Sequence, residues 1–268
     1  MKHFKKLISA VCVLCMVMSL AVSVTYASSE ETTAADNGQL KETQEKEGET
    51  APAADNTQLL AMLEQAKGTA PADTRLCVFY TAVNAGPTIH YSYDYQRDYT
   101  DDFMDVSGKV EVFAKEDAFY SMTEAERDGD TSYNGTFINA DGVFSLSPAE
   151  NKAYYAIDSE GVNYRVMLGM DEFCQKLERH SEDTDFTEET REIDGVTYIA
   201  DVYPADEFNP EYTYCFTEEG ILTYIFTGPA KAGDVDLGEN TYKLNSVYSE
   251  VDESVFSLDG YEIEGAPE

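Results

Sequence analysis

Between Ile89 and Tyr95 every second residue is large and apolar: Ile89-His90-Tyr91-Ser92-Tyr93-Asp94-Tyr95. Successive side chains of an extended strand point to opposite faces. This spacing therefore puts Ile89, Tyr91, Tyr93 and Tyr95 on one face and leaves His90 to point to solvent on the other. The pattern recurs at Val110, Val112 and Ala114, at Val196, Tyr198, Ala200 and Val202, and at Tyr212, Tyr214 and Phe216. The punctuation is hairpin chemistry. Asp194-Gly195 separates residues 190–193 from 196–203, Glu219-Gly220 separates 212–217 from 221–227, and Asp141-Gly142 separates 136–139 from 143–146. Residues 148–151 turn the chain again before 153–157. Such X-Gly pairs supply the positive φ of tight turns, and short strands joined in sequence make an antiparallel meander.

Two segments break the alternation. Residues 56–67 carry Leu59, Leu60, Leu63 and Ala66 at helical spacing, with Asp55 or Asn56 to cap the start. Gly68 stands where a left-handed C-terminal residue fits. Period two begins again at Thr74. Around residues 168–180, Met170, Phe173, Cys174 and Leu177 form a second helical stripe. Asp171 and Glu172 near its start, and Lys176, Arg179 and His180 near its end, suit the helix dipole. The acidic residues 181–189 read as an exposed loop. The expected class is α+β: a curved antiparallel sheet with an N-terminal helix and one mid-chain helix on its concave side.

The chain begins with an address. Lys2, Lys5 and Lys6 precede an uncharged apolar stretch, residues 7–24, and Thr25-Tyr26-Ala27 offers a small-residue cleavage site. Residues 1–27 thus read as a secretory signal peptide, which implies a secreted or cell-envelope location. The alternative is an uncleaved anchor, since the stretch is just long enough to span a bilayer. Val11 and Leu14 precede Cys12 and Cys15, where lipidation would want a small residue. No transmembrane span is expected after cleavage. Residues 28–55 carry eight acids, two lysines and one large aliphatic, Leu40. They cannot bury enough surface to offset chain entropy and read as a disordered acidic linker. Residues 56–268 are the folded domain, and the 43% hydrophobic share of the whole chain is enough for a core.

Charge excludes one class of partner. Lys and Arg number 18 against 52 Asp and Glu, for a formal net charge of -34. A phosphate backbone would be repelled, so nucleic acid is not expected. Beyond the leader, three cysteines remain: Cys77, Cys174 and Cys215. One disulfide is open to them, but their apolar neighbours favour three small buried hydrophobes.

The order of elements resembles a known family, and so does the local wording. Glu192-Ile193-Asp194-Gly195-Val196-Thr197-Tyr198, the Glu-Glu-Gly turn within 212–225, and the ending Tyr248-Ser249-Glu250-Val251-Asp252-Glu253-Ser254-Val255-Phe256-Ser257-Leu258-Asp259-Gly260-Tyr261 carry the likeness. Over residues 56–261 the chain resembles the LolA-like lipoprotein-carrier superfamily in its Gram-positive branch, with Asp259 where members usually have Pro. The resemblance implies a half-open barrel with helices plugging its concave side. That side often accommodates acyl chains or another apolar ligand. No individual carrier residue transfers.

No catalytic constellation stands out. His90 and His180 sit in no nucleophile signature, there is no zinc or full calcium motif, and phosphate-binding glycine loops are absent. No catalytic residue, metal ligand or cofactor is assigned. The tyrosines are the informative feature. Tyr91, Tyr93, Tyr95, Tyr198, Tyr212, Tyr214 and Phe216 are the candidates for lining an apolar groove, and plain core packing is the competing reading. The expected function is an exported, non-catalytic binding protein for a lipid or other apolar ligand. The alternative is a cell-surface protein-interaction or sensory module for a basic partner.

Overall fold

The computed structural model describes residues 56–98, 105–160, 167–169, 171–206, 209–228, 231–232, 235–236 and 238–265, all within the unit Ala53–Glu268. The expected leader, the acidic linker and Met170 lie outside the described residues. The architecture is α+β, a large open curved sheet with three helices among the described residues.

The helices are α1 (Thr57–Lys67), α2 (Arg75–Ala85) and α3 (Glu172–Arg179). α1 buries Leu59, Leu63 and Ala66 of the stripe read from the sequence, and Leu60 is half-buried. Gly68 is not left-handed as expected. Its φ is -83°, and the chain continues into a tighter turn in which Thr69 N and Ala70 N both donate to Ala66 O. α2 corrects the reading of period two from Thr74. Thr74 caps a helix, its hydroxyl accepting from Cys77 N at 3.1 Å, and Leu76, Cys77, Val78, Phe79, Ala82 and Val83 are all buried. A helix buried on most of its circumference carries no amphipathic stripe, so an apolar run with scattered β-branched residues is ambiguous by pattern alone. α3 is shorter than the expected 168–180. It starts where Asp171 accepts from Cys174 N.

The sheet strands are β1 (Thr88–Asp98), β2 (Val106–Lys115), β3 (Ala118–Arg127), β4 (Asp130–Asn139), β5 (Gly142–Ser147), β6 (Lys152–Ile157), β7 (Thr187–Ile193), β8 (Val196–Tyr203), β9 (Tyr212–Phe216) and β10 (Leu222–Thr227). After a small separate ladder of β11 (Lys231–Ala232) and β12 (Val235–Asp236), β13 (Glu239–Tyr248) and β14 (Glu262–Glu264) complete the sheet. The order is β14-β6-β5-β4-β3-β2-β1-β13-β10-β9-β8-β7. Two meanders thus meet at the antiparallel pair of β1 and β13. The turns carry the expected chemistry. Asp194 and Gly195 have φ of 53° and 77°, and Asp128-Gly129 repeats this geometry between β3 and β4, where the sequence reading placed no turn. One further correction concerns an acidic segment: β7 begins at Thr187, inside the stretch read as loop. The sheet is the expected antiparallel one, with the short β14 added in parallel to β6.

Both faces of the sheet are packed. The helices cover one. On the other, Phe137, Phe144, Leu146 and Ala153 form a buried cluster against which Phe256, Leu258 and Tyr261 pack. The C-terminal segment is therefore a strap. Asp252 starts it by accepting from Ser254 N at 2.9 Å, and Lys115 holds it by donating to Glu253 at 2.6 Å. His90 lies on this second face but is not solvent-directed as expected. Its ring stacks on Phe113 at 4.0 Å, and its Nε2 lies 3.0 Å from Glu111 Oε1.

Truncating Phe137 to Ala removes a fully buried ring between β4 and the strap and should lower unfolding free energy by about 3–5 kcal/mol. Tyr133→Ala, on the exposed half of the same strand, should stay within about 0.5 kcal/mol. Urea unfolding of the two variants checks this; equal losses would contradict the strap's role as a core-forming element.

Candidate functional site

One cross-strand row runs along the helix-covered face. Gly108 neighbours Tyr95, Tyr95 neighbours Tyr242, Tyr242 neighbours Ile225, Ile225 neighbours Tyr214, Tyr214 neighbours Asp201, and Asp201 neighbours Glu188. Tyr91 and Tyr93 stand above the row on β1, and Tyr212 and Phe216 flank Tyr214 on β9. Period two on these strands aims all of them at the same side. Gly108 leaves room for Tyr95: a Cβ there would come within 2.8 Å of the tyrosine oxygen.

The rings form a floor, and α3 lies on it. Phe173 stacks on Tyr93 at 5.1 Å and tilts against Tyr91 at 5.8 Å. Burial alone would strand the phenolic hydroxyls, and a buried hydroxyl without a partner is costly. The start of α3 supplies acceptors. Tyr91 donates to Asp171 Oδ1 at 2.8 Å, and Tyr93 donates to Asp171 Oδ2 at 3.1 Å. Tyr242 donates to Glu172 Oε1 at 2.6 Å, and Tyr214 donates to the Lys176 carbonyl at 2.6 Å. Four hydroxyls from three strands thus end on α3 and its cap. Glu172 also pairs with Arg97, and Lys176 lies over the Tyr212 and Tyr242 rings at 5.8 and 5.6 Å. At the far end, His180 stacks on Tyr203 at 4.5 Å and meets Asp183 at 2.8 Å through Nδ1.

Six of the seven sequence candidates share this face: Tyr91, Tyr93, Tyr95, Tyr212, Tyr214 and Phe216. All are buried, Tyr214 and Phe216 completely. Tyr198 is a correction. It lies on the opposite face, edge-on to Tyr224 at 5.5 Å and clustered with Ala200 and Cys215. Its own strand alternates as expected, but β8 presents Ile199, Asp201 and Tyr203 to the helices. Alternation gives two faces without saying which is covered. The sequence reading missed Tyr242, although Tyr242-Lys243-Leu244 alternates. It also took Asp171 and Glu172 as dipole charges rather than as acceptors for the tyrosines opposite.

Burial pushes the Asp171 carboxyl up to about 6, against the opposing pull of the hydrogen bonds from Tyr91, Cys174 N and Tyr93. A second buried carboxylate, Asp201, ties α2 to the sheet. Arg75 donates to its Oδ1 at 2.6 Å and also holds Glu188, while its Oδ2 is buried without a partner. Burial raises Asp201 to about 6, and Arg75 opposes the rise. Cys77, Cys174 and Cys215 are free and buried, and burial pushes the Cys215 thiol up to about 11. Among the described residues no three His, Cys, Asp or Glu side chains converge on a metal position, and no helix is long and apolar enough to cross a membrane.

Beside the floor, an open groove of about 370 Å³ lies in the helical layer. Thr69, Tyr80, Asn84, Ala85, Ser181 and Glu182 contribute to its walls, with Cys77 also lining it.

The Asp171 carboxyl sits above its value in an unfolded chain, so the folded state binds its proton more tightly. Unfolding free energy should fall as pH rises from about 4 to about 6, the window between the two values. Urea midpoints across this range should drop less steeply in Asp171→Asn than in the parent, with Asp201 supplying the remaining slope. Identical slopes would contradict a buried, proton-binding Asp171.

No protein-family model matches the chain, and no curated protein matches its sequence. Among solved structures, an uncharacterized conserved protein from Thermus thermophilus aligns over 76% of this chain and 97% of its own at 10% identity, with a TM-score of 0.34. MucB, solved in complex with MucA(peri), aligns over 76% of this chain and 59% of its own at 9% identity, with a TM-score of 0.33. A DUF1329 family protein from Desulfovibrio piger aligns over 76% and 99% at 10% identity, with a TM-score of 0.24. These likenesses are distant.

Proposed function

We propose that this domain is an exported, non-catalytic binding module that takes an apolar ligand onto its tyrosine floor, with α3 as the cover. The observation that carries the reading is the way α3 is held. It buries only Phe173, Cys174 and Leu177, and four tyrosine hydroxyls bind its polar groups. An eight-residue helix has little stability of its own, so these contacts and its three apolar residues keep it in place. A ligand with an apolar body and a polar end offers the floor the same two things: surface for the rings and an acceptor for the hydroxyls. Burying roughly 300 Å² of ligand would contribute about 7 kcal/mol before association costs.

A second reading has its own support. β7 is an outer strand of the sheet and carries Glu188, Glu189 and Glu192 at exposed positions. An uncovered acidic edge suits a basic extended segment of a protein partner, and such an association would weaken with salt.

Native mass spectrometry of the exported protein, followed by solvent extraction, tests the first reading. A lipid or other apolar mass should co-purify, and an apolar dye should bind. Asp171→Ala removes an anchor of α3 and should raise dye binding severalfold. A clean apo mass, with no dye bound by the parent or by the variant, would sink the ligand reading and shift weight to a partner at β7.

A further inference from the structure

The C-terminal ends of the three described helices converge on the open groove of about 370 Å³. Thr69 stands two residues past the end of α1, Asn84 and Ala85 are the last residues of α2, and Ser181 and Glu182 follow the end of α3. A helix C-terminus presents carbonyls without intrahelical donors and acts as about half a negative charge. Glu182 adds a full one. Burial raises the Tyr80 phenol above its ordinary range, and the nearby Glu178 and Glu182 carboxylates add to the rise.

Thr69, Asn84 and Ser181 each satisfy a helix carbonyl with a neutral side-chain donor, to Ala66 O, Tyr80 O and Glu178 O. No full positive charge offsets the rest: among the described residues lining the groove none is Lys, Arg or His. The basic residues at the same helix ends are engaged elsewhere: Lys67 with Glu64, Arg179 with Asn209, and His180 with Asp183. The rest of the wall is apolar or neutral, with the Tyr80 ring, Pro71, Cys77 and Ala85 beside threonine and asparagine. Its volume lies in the range of small-molecule sites, roughly 300–1,000 Å³.

We propose that this groove is a binding site for a small organic cation, an alkylammonium or protonated amine. Its charged head lies by Glu182 and the helix ends, and its apolar body lies against Tyr80. An ammonium head gains from the helix ends and the carboxylate together, and its alkyl body gains from contact with the Tyr80 ring. An anion of the same shape is repelled by the helix ends and the carboxylate, and a neutral analogue gains only the apolar contact. A bare inorganic cation leaves the apolar wall uncovered. The site is separate from the tyrosine floor and does not require α3 to move.

Calorimetric titration of the full chain with octylammonium, octyl sulfate and octanol tests the proposal. Octylammonium should bind saturably, one per chain, about tenfold or more tighter than the other two. Glu182→Gln should weaken it about two- to fivefold. Ala85→Trp, which fills the groove from an exposed position, should abolish it while the urea midpoint stays unchanged. Glu126→Gln, on β3, should leave binding as it is. Equal affinity for the three probes, or no saturable binding, would overturn the assignment. So would binding that survives Ala85→Trp, which would place the ligand elsewhere, such as on the floor. Equal weakening by Glu126→Gln would reduce the effect to the overall charge of the protein.

Discussion

The arrangement of this domain turns on a single requirement: tyrosine hydroxyls that are buried must still find acceptors. Tyr91, Tyr93, Tyr214 and Tyr242 bring large apolar rings to the centre of the sheet, and each ring ends in a polar group that water no longer reaches. Phenylalanines would have made a simpler core. With tyrosines, the element that covers the floor must carry acceptors at matching positions. Asp171, Glu172 and the Lys176 carbonyl supply them. The buried Asp171 carboxyl follows from the same requirement, as does the N-cap that fixes where α3 begins. A polar-tipped apolar floor under a short helix is also a surface that an amphipathic ligand can satisfy in place of the protein, and the proposed function rests on that equivalence.

The opposite face solves its problem differently. There the cluster under the strap is Phe137, Phe144, Leu146 and Ala153, side chains without polar tips, and the cover is irregular chain rather than helix. The ending that resembles the LolA-like family, Ser254-Val255-Phe256 with its acidic neighbours, is the segment that places Phe256, Leu258 and Tyr261 on this cluster. Its acids have local work: Asp252 caps the 3-10 turn Glu253–Val255, and Glu253 binds Lys115. The high negative charge of the chain is therefore not only a solvated surface. At Asp171, Glu172, Asp201 and Asp252, carboxylates fix the ends of helices and the contacts between layers.

Much of the fold was legible in the sequence because strand alternation and turn chemistry are local. The face shared by Tyr91, Tyr93 and Tyr95, the hairpin at Asp194-Gly195 and the stripe of α1 all followed from spacing. The misses came from long-range contacts. α2 has no amphipathic pattern because it is buried on most sides, so only its packing reveals it as a helix. Tyr198 falls on the other face because its strand alternates equally well either way, and the side that meets α2 is marked only by a long-range contact, the Arg75–Asp201 pair across 126 positions of sequence. The pairing of Asp171 with Tyr91 and Tyr93 joins residues 80 and 78 positions apart. Neither partner's local sequence announces it.

In the proposed function α3 is a separable cover on a preformed floor. Amide hydrogen exchange on the native protein tests it most directly, since exchange reports the free energy of local opening segment by segment. The account predicts that residues 173–179 exchange by a local opening, well before the amides of β1 and β13 beneath them, and that an apolar ligand changes protection in α3 while leaving those strands as they were. Equal protection of α3, β1 and β13, lost together only in global unfolding, would show that the helix is an integral part of the core and would contradict the account.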